Sequence, residues 1–157
     1  MSPEFVQKLY EDFPLLFPRT IAIEVDDGWY NILYAACTRI QKQIDNREKS
    51  IAFALEWNEA VDSEDLEWNR FGPREKRVVP EIVPQVVISN IKEKFGSLRI
   101  SHTGGNDFTD GIIIMAEEMS HVTCEECGSP GQATKKGWIR VLCEEHMEAK
   151  ELKEQTT

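Results

Sequence analysis

A chain of 157 residues with 41% hydrophobic content and seven Phe, four Trp and three Tyr is long and apolar enough for one domain with a small appendage, which excludes wholesale disorder. Its net charge of −10 is uneven, at −8 over residues 1–69, +4 over 70–100 and −6 over 101–157, so most of the surface repels duplex nucleic acid. No apolar run reaches the roughly 18 residues that span a bilayer, and "MSPEFVQKLYEDFP" lacks the basic and apolar regions of a signal peptide. A reducing cytoplasm is therefore expected, where clustered cysteines read as metal ligands rather than disulfides.

Ser2 followed by Pro3 starts a helix whose stripe Phe5, Val6, Leu9, Tyr10 and Phe13 runs until Pro14. Ile21, Ile23 and Val25 alternate as on a strand. "DDG" turns the chain, with Asp26 or Asp27 placed to cap a helix carrying Ile32, Leu33, Ala36, Cys37, Ile40 and Ile44 on one face. Cys37 reads as an inert core thiol. "IAFALEW" alternates Ile51, Phe53, Leu55 and Trp57 and predicts a second strand. Residues 58–84, with Pro73, Pro80 and Pro84, read as a long loop of the kind that is functional or mobile. Residues 85–101 predict two strands joined by a turn over 94–97. "TGGND" connects them to a helix from about Asp110 to His121, with Ile112, Met115, Ala116 and Met119 at helical spacing.

The C-terminal stretch carries the strongest chemical signal. Cys124 and Cys127 are spaced so that one tight turn, eased by Gly128, aims both thiolates at one ion. Cys143 and His146 repeat the spacing after 15 intervening residues, giving a closed Cys3His set for zinc. His121, three residues before Cys124, is the alternative fourth ligand. Residues 131–137 form a hairpin with "WIRVLC", and "EEHMEAKELKE" is a helix former with Glu144 and Glu145 at its positive end. Knuckle, hairpin and a helix carrying the last ligands resemble a treble-clef zinc finger over about residues 121–154. Four protein ligands leave no position for substrate water, so the zinc is expected to be structural. The deaminase H-x-E and P-C-x-x-C pattern fails, because Thr123 precedes Cys124.

"DDGWY", "KEKFGSLR", "CEECGSPG" and "LCEEH", in that order, resemble a set of small uncharacterised proteins of bacteriophages, prophages and bacteria, over most of residues 20–146. The resemblance implies a phage or mobile-element accessory protein acting on a host system, and carries no activity with it.

Two further groups are candidates for binding. Lys92, Lys94 and Arg99, near an aromatic ring, could grip a phosphate, Arg99 with bidentate contacts. Their alternative role is as solvated strand residues, with Trp29 and Phe95 in the core. Residues 56–67 hold six carboxylates and no cation. There Trp57, Glu59, Asp62, Glu64, Asp65 and Trp68 could dock a basic partner protein, or form a solvated loop.

The fold expected is α+β: a small, mostly antiparallel sheet with two or three helices over residues 1–120, and a treble-clef module over 121–157 packed on it as one compact unit. The expected function is a zinc-stabilised, non-enzymatic protein-interaction or inhibitor module. The alternative is a nucleotide or nucleic-acid binder using Lys92, Lys94, Arg99, Lys135, Lys136 and Arg140. A metal-dependent hydrolase ranks third, since Asp107 and Asp110 are merely close in sequence and no P-loop or nucleophile motif is present.

Overall fold

The computed structural model describes residues 1–63, 72, 74–134 and 137–155, without the side chains of 153–155. Helix α1 (Pro3–Asp12) leads to strand β1 (Ile23–Glu24), a 3-10 turn (Asp27–Trp29) and helix α2 (Tyr30–Asp62). Strands β2 (Val87–Glu93) and β3 (Leu98–Thr103) precede helix α3 (Asp107–Ser120). The two-residue strands β4 (Gln132–Ala133) and β5 (Val141–Leu142) lead into helix α4 (Glu144–Gln155). The class is thus α+β.

The three-stranded sheet runs β1-β2-β3, with β1 parallel and β3 antiparallel to β2, and β4-β5 is a separate antiparallel pair. The pairing of β2 with β3 shifts register between Ile88 and Asn90. That bulge lets Ile88 and Ile91, an odd number of residues apart, both be buried. The core gathers Leu9 of α1 and Phe13 just after it, Leu33, Cys37, Ile40 and Ile44 of α2, Leu98 of β3 and Ile113 of α3. Asn106 caps α3 by accepting hydrogen bonds from the backbone N–H of Phe108 and Thr109.

One sequence expectation is overturned. Residues 51–57 are not a strand but the continuation of α2, which is 33 residues long. Nothing between Tyr30 and Asp62 breaks a helix: the stretch lacks Pro and Gly and is rich in Ala, Leu, Glu, Lys, Arg and Gln. The apparent alternation arises because this half of α2 lies beside an extended segment rather than the core. Only Ala54 is fully buried there, while Phe53 and Leu55 remain exposed.

The expected loop therefore begins after Asp62, and its described part is zipped along α2. Trp57 Nε1 donates to the Glu75 carbonyl (3.0 Å), and Asn58 exchanges two hydrogen bonds with the Arg77 backbone (2.9 and 2.7 Å). Lys76 pairs with Asp62 at 2.7 Å, and Gln85 reaches Gln41.

Candidate metal centre

Cys124 lies four residues past the end of α3. Its carbonyl accepts from the Gly128 N–H (2.9 Å) and its own N–H donates to the Ser129 carbonyl (2.7 Å), closing the turn that carries Cys127. Gly128 has φ +79°, a conformation that suits glycine. The other two ligands come from the β5–α4 junction, with Cys143 just before the helix and His146 three residues on, in its first turn. That spacing places the two on one side of the turn.

The four ligand atoms lie within 4.8 Å of one another, and all the cysteines are free thiols. Cys127 Sγ to Cys143 Sγ is 3.8 Å, far beyond a disulfide bond. His146 Nδ1 lies 3.4 Å from Cys124 Sγ and 3.1 Å from Cys143 Sγ. In a tetrahedral zinc site with ordinary bond lengths, the sulfur–sulfur edge is about 3.8 Å and the sulfur–nitrogen edge about 3.6 Å. The donor set therefore already has close to the dimensions a metal of this size requires.

Residues around the ligands complete the arrangement. His146 Nε2 is 3.4 Å from the Glu126 carboxylate, so the ring nitrogen facing away from the cluster meets a carboxylate. Such a partner fixes the tautomer and strengthens the ligating nitrogen. Hydrogen bonds from the Ser129 side chain and then its backbone bring the Cys127 thiol down to about 6, toward the thiolate that a metal binds.

Glu125, the other residue between the paired cysteines, is almost fully buried. Burial raises its pKa, and the Val141 N–H and Arg140 oppose that rise. Its carboxylate accepts from the Val141 N–H (2.8 Å) and from Arg140 Nε (3.0 Å). Arg140 also donates to Glu126 (3.0 Å) and to Asp26 (2.5 Å), joining three carboxylates.

The "DDGWY" stretch is the platform on which this turn sits. The Gly28 N–H donates to the Glu125 carbonyl (2.7 Å), and the buried Trp29 donates its indole N–H to the Thr123 carbonyl (2.9 Å). A Cβ at Gly28 would lie 2.1 Å from the Cys124 carbonyl oxygen and 2.5 Å from that of Glu125. Asp27 accepts from the Ser2 N–H. Neither Asp26 nor Asp27 caps a helix with its side chain, as the sequence had suggested: Asp26 is the N-cap of the 3-10 turn without a side-chain hydrogen bond.

His121, the alternative ligand, is turned elsewhere, with Nε2 3.2 Å from Ser97 Oγ on the β2–β3 turn. Among the described residues it is not in the ligand group. In the proposed phosphate grip, Lys92 and Arg99 are register partners across β2 and β3. Arg99 binds Glu117 (3.2 Å) and Ser97 (2.7 Å), Lys94 lies over the Phe95 ring, and only Lys92 is both exposed and without such a contact. Phe95 itself is exposed, whereas Trp29 is core.

In the acidic candidate group, Trp57 is covered by Arg74 and Arg77, and Asp62 is paired with Lys76. Glu59 is exposed. Glu64, Asp65 and Trp68, like Lys135 and Lys136, lie outside the described residues. Asp110 faces His102 at 3.2 Å. The sequence reading missed Glu125, Glu126 and Gly28. The only signal for them was their position inside or beside the short motifs.

Fold and cluster together define a small α+β protein with a Cys3His group poised for a metal. Comparison with protein-family models, with curated proteins and with solved structures finds no match to the chain. Among the described residues, no helix is long and apolar enough to cross a membrane.

Proposed function

We propose that the chain is a zinc-stabilised, non-enzymatic protein-interaction or inhibitor module, an accessory protein of a phage or mobile element that acts on a host protein in a reducing cytoplasm. The observation that carries the metal role is the closed donor set: three thiols and one imidazole converge, and the imidazole is braced by Glu126. Soft thiolates with tetrahedral spacing favour zinc, and four protein ligands leave no open position for a substrate or water. The order of knuckle, short β4–β5 hairpin and α4 bearing His146 supports a treble-clef reading of residues 121–154.

The interaction role draws on the outer surface of α2 and its neighbouring segment. Phe53 and Leu55 are exposed on α2 with the carboxylates Glu56 and Glu59, and Val78 and Ile82 of the neighbouring segment are 91% and 72% exposed. Exposed apolar side chains beside exposed carboxylates, with Arg77 stacked on Phe53, suit a partner with a basic, partly apolar face.

Native mass spectrometry of gently purified protein tests both parts. One zinc per chain, with a stoichiometric protein partner that is lost in a Glu56→Gln/Glu59→Gln variant, is the expected result. X-ray absorption showing an oxygen ligand in place of one sulfur or nitrogen would overturn the structural role of the metal. Partner binding indifferent to the double variant would remove this face.

A further inference from the structure

The described residues include a second concave feature, unrelated to the metal centre. Positions 39, 42, 43, 46, 47 and 50 form one stripe of α2, at helical spacings of three and four. The stripe carries Arg39, Lys42, Gln43, Asn46, Arg47 and Ser50, hence three cations, three neutral polar side chains and no carboxylate. With Pro80 from the segment beside α2 and Phe108 from the start of α3, these residues line a depression of about 340 Å³.

Three features distinguish this stripe from an ordinary solvated helix face. First, the chain has ten more acidic than basic side chains, yet no ion pair joins Arg39, Lys42 or Arg47 among the described residues; Arg19, Lys49, Lys92 and Lys94 also lack one, but here three such cations share one depression. The nearby Asp45 accepts instead from Gln41 Nε2 (2.8 Å), and Asp110 faces His102. Second, Asn46 and Ser50 place exposed polar side chains beside the cations in the same depression. Third, Phe108 is 43% exposed and lines the same depression.

We propose that this depression binds the phosphates of a nucleoside phosphate ester. Arg39, Lys42 and Arg47 hold phosphate oxygens, Arg47 and Arg39 through the planar fork that suits them. The sugar hydroxyls meet the exposed Asn46 and Ser50 side chains, and the base lies against Phe108. The volume falls within the range of small-ligand sites and accommodates one nucleotide. Phosphate esters of this class arise as free nucleotides or along a single strand of nucleic acid, and the cationic stripe recognises what the two share.

Calorimetry on the whole zinc-loaded chain distinguishes these sources. The probes are ATP, a ten-residue oligothymidylate and inorganic pyrophosphate, each at low salt, against the parent and an Arg39→Gln/Lys42→Gln variant. The substituted side chains are exposed, and an unchanged melting temperature verifies that the variant folds. Saturable binding of ATP or oligothymidylate, weakened at least tenfold in the variant but unchanged by Lys92→Gln, is expected. Preference for ATP identifies a free nucleotide.

Preference for the oligonucleotide identifies a strand. Its affinity should then fall about twentyfold between 50 and 200 mM salt, the dependence for about three phosphate contacts on a single strand. Pyrophosphate binding as tightly as both nucleoside probes would overturn the proposal, as would the absence of saturable binding or indifference to the variant.

Discussion

Gly28 shows how one residue can commit a whole turn. Its N–H is bonded to the Glu125 carbonyl, and the space where a side chain would stand is occupied by two backbone carbonyls of the metal-binding turn. Backbone cannot rotate away as a side chain could, so Gly28→Ala should cost about 3 kcal/mol, the upper end of overpacking penalties, measured by urea unfolding of the zinc-loaded protein. Glu126 acts instead through His146. Glu126→Gln leaves the ligands intact but weakens the acceptor at Nε2, and zinc affinity in competition with a chromophoric chelator should fall about 10- to 100-fold. Unchanged affinity would show that Glu126 serves only as a partner of Arg140.

Among the elements, the hairpin and α4 are the ones that the proposed zinc would hold most. Strands β4 and β5 have two residues each, and the fully buried apolar side chains there are Val141 and Leu142, outside the main core cluster. Two such side chains contribute about 3–6 kcal/mol, against about 1 kcal/mol or more for every backbone residue held in place. Structural zinc supplies on the order of 10 kcal/mol, enough to reverse that balance. Chelation should therefore expose the backbone amides of residues 122–147 to rapid hydrogen exchange while those of α2 and β2 stay protected. Uniform protection before and after chelation would contradict this.

The same elements explain what was legible in the sequence. The ligand set could be read because its spacing is set by local turns, and the structure brings those four residues together. The first part of α2 and the β2–β3 hairpin could be read because each has one face on the core. Residues 51–57 could not, because an amphipathic pattern appears only where one face is buried, and Phe53 and Leu55 are not. The parallel pairing of Ile23 with Ile91 was equally hidden, since it joins segments far apart in the chain. Glu125 looked like one more acid in an acidic tail. Its burial follows from Arg140 and Val141, whose proximity is a product of the hairpin.

Across the whole molecule, the four cysteines fall into two environments. Cys37 is buried in the main core, which pushes its thiol up to about 12, while the other three belong to the metal cluster. Treatment of the native zinc-loaded protein with iodoacetamide should modify none of them, chelation should open three, and denaturation the fourth, as counted by intact mass. Reaction of Cys37 in the folded protein, or of the cluster without chelator, would contradict the assignment.

The hydrogen bond from Trp29 to Thr123 spans 94 residues, and the Gly28–Glu125 bond is of similar reach. On a ribosome, the platform emerges early, and its two donors lack these acceptors until Thr123 and Glu125 have been made. A chain cut short of Thr123 would retain an open seat at the DGW turn.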